Sequence, residues 1–187
     1  MRIITGKAKG IRLDTLEGLD TRPTAERTKE AIFSILQFDI EGRVVLDLFT
    51  GSGQMGLEAL SRGAECAFLV DKSKKAIEII KKNAQKTKLS DACHIVCEDS
   101  VAFLKKHNES TKFDIAFLDP PYATDLINES LFVLADRKLI KNTSYIVCES
   151  ASFGFLSEKN ARSYEIVKEA KYGIAHITIL KAAEGVL

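Results

Sequence analysis

Residues 44–64 read VVLDLFTGSGQMGLEALSRGA. Val44 to Phe49 is apolar apart from Asp47, the composition of a strand buried on both faces. A glycine turn follows, and then a helix to about Ser61. Gly51, Gly53 and Gly56 allow a tight turn and a close approach of ligand to backbone. They match the spacing of a dinucleotide-binding turn, and Asp71 stands at the distance expected for a ribose-binding acid. On this stretch alone two plainer readings stay open. One is a turn that merely joins strand to helix. The other is a nicotinamide-dependent dehydrogenase.

Working outward, the alternation repeats. Cys66 to Val70 predicts a strand ending in Asp71, and Ser73 to about Lys86 a helix with Ala76, Ile77, Ile80 and Ala84 on its apolar face. Cys93 to Cys97 predicts a strand ending near Asp99, with a helix from Ser100. Phe113 to Leu118 predicts a strand ending in Asp119-Pro120-Pro121-Tyr122, with a helix near Leu126 to Ala135. Ser144 to Cys148, Tyr164 to Lys171 and Ile174 to Leu180 complete the strands. Upstream, Arg2 to Thr5 and Ile11 to Leu16 suggest a small β-hairpin, and Thr24 is the expected N-cap of a helix carrying Ala31, Ile32, Ile35 and Leu36. Strands alternating with amphipathic helices imply right-handed crossovers and a mostly parallel sheet. Tyr172-Gly173 is too short a link for a crossover, so the last two strands are expected to pair antiparallel. The expected fold is therefore α/β: a Rossmann-like, seven-stranded sheet with a terminal antiparallel hairpin, plus an N-terminal hairpin at 1–20, in one domain spanning 1–187.

With 187 residues there is room for one domain. No apolar run exceeds five residues, which excludes a transmembrane helix, and MRIITGKAKG contains no secretory signal. Cys66, Cys93, Cys97 and Cys148 lie in apolar stretches and read as reduced, buried thiols of a cytoplasmic protein. They do not make a metal site: Cys93 and Cys97 lie on one strand, and no paired Cys/His cluster accompanies them. The net charge of +1 excludes wholesale electrostatic binding of nucleic acid and leaves room for local basic surfaces. One is the hairpin with Lys7, Lys9 and Arg12. The other is the lysine-rich stretch 72–88, read as a solvated helix face.

The chemistry rests on acids at strand ends. In doubly wound sheets ligands bind beyond the carboxyl ends of the strands. Asp47 lies inside the first strand there, and Asp71, Asp99 and Asp119 end the next three. The Asp71 carboxylate suits two ribose hydroxyls, and Asp99 suits an adenine edge, though either also serves as a plain strand-end cap. Pro120 and Pro121 make a stiff turn that presents the Asp119 carboxylate and the Pro120 carbonyl as convergent acceptors. Tyr122 adds a flat ring. Two acceptors and a ring suit a planar aromatic amine with two N–H bonds, an arrangement for which hydride transfer has no use.

The chain resembles the S-adenosylmethionine-dependent methyltransferases with a DPPY motif, and more closely the RsmD family, which methylates the guanine N2 amine in 16S ribosomal RNA. The resemblance rests on Arg22-Pro23-Thr24 with Arg27 and Glu30, on residues 47–64, on DPPY at 119–122 and on Lys171 and Gly173. Family members commonly carry glutamate where Asp71 stands and often tyrosine where His176 stands. The resemblance implies S-adenosylmethionine as cofactor, with no metal, held by Asp47, Gly51, Ser52, Gly53, Asp71, Lys72, Asp99, Ser100 and Asp119. It implies catalysis by Asp119, Pro120 and Tyr122. RNA would be met by Arg22, Thr24, Arg27, Pro121, Tyr122, Lys7, Lys9 and Arg12. The implied partner is 16S ribosomal RNA in an assembled or assembling small subunit, and the implied state is a monomer without membrane contact. Other readings remain: a DPPY amino-methyltransferase acting on another RNA or on DNA, and a non-catalytic RNA-binding protein. A sequence-specific DNA enzyme would need a target-recognition domain for which this length has no room.

Overall fold

The computed structural model describes residues 1–15, 23–121 and 124–183, with side chains of the first helix from residue 26. The apolar runs become β1 (Val44–Asp47), β2 (Cys66–Asp71), β3 (Cys93–Cys97), β4 (Phe113–Leu118), β5 (Ile140–Ser150), β6 (Tyr164–Tyr172) and β7 (Ala175–Ala182). They form one sheet in the order β3-β2-β1-β4-β5-β7-β6. The first five strands are parallel, and β7 runs antiparallel to both β5 and β6. The helices are α1 (Pro23–Ile35), α2 (Gln54–Ser61), α3 (Lys74–Thr87), α4 (Ser100–Lys106), α5 (Leu126–Asp136) and the short α6 (Glu158–Ala161).

Strand alternation divides the core in two. Val45, Leu69, Ile115, Phe117 and Val147 point to one face, beneath α1, α2, α3 and the N-terminal arm. Leu46, Val70, Ala116, Leu118 and Ile146 point to the other, beneath α4 and α5. β7 is buried along nearly its whole length, as a central strand must be, while β6 at the edge is mostly exposed. Its Glu165, Lys168 and Glu169, with a bulge between Ile166 and Lys168, discourage pairing with another sheet.

Several expectations need correction. The N-terminal hairpin is present in short form: around one antiparallel bridge, Arg2 to Arg12, Ile3 N donates to Ile11 O and Leu13 N to Met1 O. Its backbone also docks on α2: the amides of Ile4 and Thr5 donate to Glu58, Lys7 N donates to Ser61 O, and Ala8 N donates to Ser61 Oγ. Gly6 makes this possible, because a Cβ there would lie 1.7 Å from Ser61 O. α1 begins at Pro23, so Thr24 belongs to the first turn and is not the cap; proline is well suited to that turn. β5 starts four residues before Ser144, beyond an irregularity in its pairing with β4. Of the cysteines only Cys148 is buried; Cys66 and Cys93 are half-buried and Cys97 is exposed. No described helix is long and apolar enough to cross a membrane.

Candidate active site

The strand order sets β3, β2, β1 and β4 side by side, so Asp99, Asp71, Asp47 and Asp119 follow one another along a single edge of the sheet. At about 4.8 Å between neighbours, that row spans roughly 14 Å. The chain runs outward in both directions from β1 and β4, which makes their junction the switch point of the sheet. The glycine turn lies there.

Asp47 braces that turn. It is 4% exposed, and its Oδ2 accepts the Gly56 amide at 2.9 Å. Burial pushes its carboxyl up to about 6, against the stabilising Gly56 N–H. Gly51 and Gly53 take positive φ angles of 56° and 81°. At Gly56 a Cβ would lie 2.1 Å from Leu69 Cδ2, so any larger residue there would require the Leu69 side chain to shift. Asp71 is half-buried; its Oδ2 accepts from Gly51 N at 3.0 Å and its Oδ1 from Ser73 N at 2.8 Å. The Ser52 carbonyl accepts from Asn83 Nδ2, and Lys72 is exposed. Asp99 caps α4, with Oδ1 accepting from Val101 N and Ala102 N, while Ser100 is buried behind it. The capping alternative is thus realised at Asp99, and one of its oxygens is committed to the helix.

Asp119 opens onto a cavity of about 180 Å³ whose wall includes Gln54 and Met55 from the start of α2, Thr28, Lys29 and Ile32 from α1, Val147 and Glu149 from β5, and Ile174 to Ile177 at the β6–β7 end. The acid of the proline turn and the helix after the glycine turn therefore face one space. Protein crowding the cavity, then Glu149, then Asp47, push the Asp119 carboxyl up to about 8 even though its side chain meets the cavity opening. Pro120 and Pro121 line a second space of about 190 Å³ next door, together with Asn128, Ser152 and again Glu149. Gln54 Oε1 is buried and receives no hydrogen bond from the described residues.

The basic residues are placed differently. Arg27 is exposed on α1. Lys7 and Lys9 are exposed at the hairpin tip, which is bound to Ser61 at the far end of α2. Seven residues of helix put that tip about 11 Å from the start of α2, so neither lysine belongs to the cavity wall. Arg12 is exposed on the returning arm. The structure describes neither Arg22 nor Tyr122 nor the side chain of Thr24, so these expectations lie outside the described residues. His94 and His107 pack on aromatic rings, stacked on Phe68 and Phe113 at 4.4 and 4.7 Å. His176 meets Phe153 edge-on at 4.6 Å.

Three features escaped the sequence reading. Glu149 ends the fifth strand as acids end the second, third and fourth, and that same rule would have found it. Asn83, fully buried in α3, holds both Asp14 and the Ser52 carbonyl and so ties the N-terminal arm to the glycine turn. Lys29 and Glu58 form an ion pair at 3.1 Å with exposures of 1% and 0%. Nothing in the spacing of the last two residues announces that they meet.

Residues 1–181 match the family model described as conserved hypothetical protein 95. The Bacillus subtilis protein YlbH is 33% identical, over 97% of this chain and 98% of its own length. The Haemophilus influenzae ribosomal RNA small subunit methyltransferase D is 34% identical, over 80% of this chain and 78% of its own. Among solved structures, the Escherichia coli yhhF protein superposes with a TM-score of 0.84 at 28% identity, covering 97% of both chains. A match along nearly the whole chain, joined to a cavity shared by the DPP acid and the start of the helix that follows the glycine turn, places the chain in the ribosomal RNA small subunit methyltransferase D family.

Proposed function

We propose that the protein transfers a methyl group from S-adenosylmethionine to the N2 amine of a guanine in 16S ribosomal RNA. The observation that carries this is the cavity shared by Asp119 and the start of α2: the acceptor for the amine adjoins the turn that would hold the cofactor. The residues fit that cofactor. Asp71 offers a carboxylate beside an approachable glycine backbone, and Gln54 Oε1 is a buried acceptor still lacking a donor. Gly51, Ser52 and Gly53 would shape its cradle, with Lys72, Asp99 and Ser100 further along the edge. When bound, the cofactor supplies a methyl group already activated on a sulfonium, so no metal is required of the protein.

The chain's own task is to prepare the amine. Guanine N2 is a poor nucleophile because its lone pair is delocalised into the ring. Asp119 and the Pro120 carbonyl accept its two N–H bonds and favour a pyramidal nitrogen whose lone pair is free to attack. Hydrogen bonds of this charge-assisted kind contribute about 1.5–3 kcal/mol each, whereas holding the reactants in line contributes about 7–11 kcal/mol, so positioning dominates. With its carboxyl raised toward 8, Asp119 is also suited to take the proton that the methylated amine releases. A base must leave its stack to reach this cavity, and Tyr122 is assigned the stacking face that offsets the cost. Arg22, Thr24, Arg27 and Pro121 meet the RNA near the mouth. Lys7, Lys9 and Arg12, on the arm, meet phosphates farther off. Such a substrate places the protein in the cytoplasm, acting on an assembled or assembling small subunit.

The test is to incubate the protein with labelled S-adenosylmethionine and unmethylated small subunits, then digest the RNA and identify the nucleoside by mass spectrometry. N2-methylguanosine in 16S RNA is expected. Label in another base, or none, refutes the assignment.

A further inference from the structure

Glu149 lies at the partition between the two spaces. It lines the first with Asp119 and Gln54, and the second with Pro120 and Pro121. The first wall is otherwise largely apolar, with Ile32, Phe117 and Val147. Among the described residues its one cationic side chain, Lys29, is engaged: Nζ donates to the Arg2 carbonyl at 2.6 Å and pairs with Glu58. The wall therefore offers an entering base two carboxylates, at Asp119 and Glu149, and the unfilled Oε1 of Gln54. Ionised carboxylates only accept hydrogen bonds. Such a wall selects a base edge built of N–H donors. Guanine has one, N1–H beside the N2 amine. Adenine and cytosine carry a lone pair at the corresponding ring nitrogen, and uracil has no amine.

We infer that Glu149 selects guanine by accepting the N1–H of the base whose N2 amine Asp119 holds. This rests on the proposed guanine-N2 reaction and adds the residue that enforces it. The negative charge of Glu149 also raises the Asp119 carboxyl, as expected of two acids lining one cavity.

The test compares guanine with 2-aminopurine at the methylated position of reconstituted small subunits. 2-Aminopurine keeps the amine and replaces N1–H by a lone pair. A site built to bond a donor rejects an analogue lacking it, so the wild type should favour guanine by about a hundredfold or more in kcat/KM. Glu149→Gln presents an amide N–H to the lone pair and should narrow that preference at least about tenfold, mainly by losing guanine activity. Glu149→Asp keeps a carboxylate and should keep the preference. Comparing the ratio between proteins cancels the intrinsic difference in amine reactivity. Equal use of both bases by the wild type, or a ratio unchanged in Glu149→Gln, overturns the role of Glu149 while leaving guanine methylation intact. If the wild type binds S-adenosylmethionine and methylates neither base, the underlying reaction fails and this inference with it. S-Adenosylmethionine affinity of each variant, measured alongside, shows that the fold is preserved; should Glu149→Gln not fold, the wild-type ratio and Glu149→Asp decide.

Discussion

Asp71 Oδ2 accepts the Gly51 amide at 3.0 Å, so the acid that ends β2 holds the turn that follows β1. The same carboxylate orders the start of α3 through Ser73 N. Both carboxylate oxygens of Asp71 thus accept backbone amides, and the side chain is half-buried at the sheet edge. Asp71→Ala removes the proposed ribose acceptor and loosens the turn together. Cofactor affinity should fall by about tenfold to a hundredfold, the scale of one or two hydrogen bonds to a charged group. Calorimetric titration with S-adenosylhomocysteine checks this; an unchanged Kd would remove Asp71 from the site.

The raised carboxyl of Asp119 makes cofactor binding a proton-linked event. Surrounding protein, then the charge of Glu149, raise the carboxyl, so part of Asp119 is protonated near pH 7 before ligand arrives, although the side chain is exposed at the cavity mouth. A sulfonium cation alongside favours the ionised form and lowers its pKa. S-Adenosylmethionine binding at pH 7 should therefore release up to about one proton, and the uncharged thioether of S-adenosylhomocysteine much less. Titration in buffers of different ionisation enthalpy measures the difference. Equal proton release by the two ligands would contradict it.

Asp47 links the glycine turn to pH in another way. Its folded-state value, about 6, lies above the ordinary aspartate value of 3.8. The stability it contributes is complete below about pH 4 and is lost as pH rises through 6. Asp47→Asn keeps an acceptor for the Gly56 amide without the buried charge. Relative to wild type, its unfolding free energy should gain up to about 3 kcal/mol between pH 4 and pH 7.5. Urea unfolding of both proteins at the two pH values decides; a constant difference would mean that Asp47 does not titrate in this window.

The Lys29–Glu58 pair is a keystone for the N-terminal arm. Glu58 also accepts from Ile4 N, Thr5 N and Arg62 Nε. Burial lowers the Lys29 pKa, and the Glu58 charge opposes that shift. Glu58→Ala strands a buried ammonium and two backbone amides, and should cost about 3–5 kcal/mol in urea unfolding. Glu58→Ala with Lys29→Met removes the stranded charge and should recover much of the loss. A double variant no more stable than the single one would show that the ion pair is not the source.

What the sequence disclosed follows from range. Cys66–Asp71, Cys93–Cys97 and Phe113–Leu118 are short apolar runs closed by turn residues, and their bounds come directly from composition. Crossover rules give their parallel pairing; their order in the sheet, and with it the row of acids, comes only from the structure. The N-terminal arm reads as a hairpin and is one, but its docking on α2 was not legible because those partners, Glu58 and Ser61, lie more than fifty residues away. Asn83 meeting Asp14 is the same kind of contact. Asp99 reads alike as a ligand contact or as a helix cap, and only side-chain geometry separates the two. The four-residue helix Glu158–Ala161 is too short for its periodicity to register.

The most direct test of the central claim, that Asp119 holds the amine beside the cofactor crevice, is single-turnover methyl transfer by Asp119→Ala on unmethylated small subunits, with S-adenosylhomocysteine affinity measured on the same preparation. Loss of a transition-state hydrogen-bond partner should slow transfer by at least about a hundredfold while binding of the uncharged product stays within a few-fold. Transfer at close to the wild-type rate, with the cofactor site intact, would contradict the account.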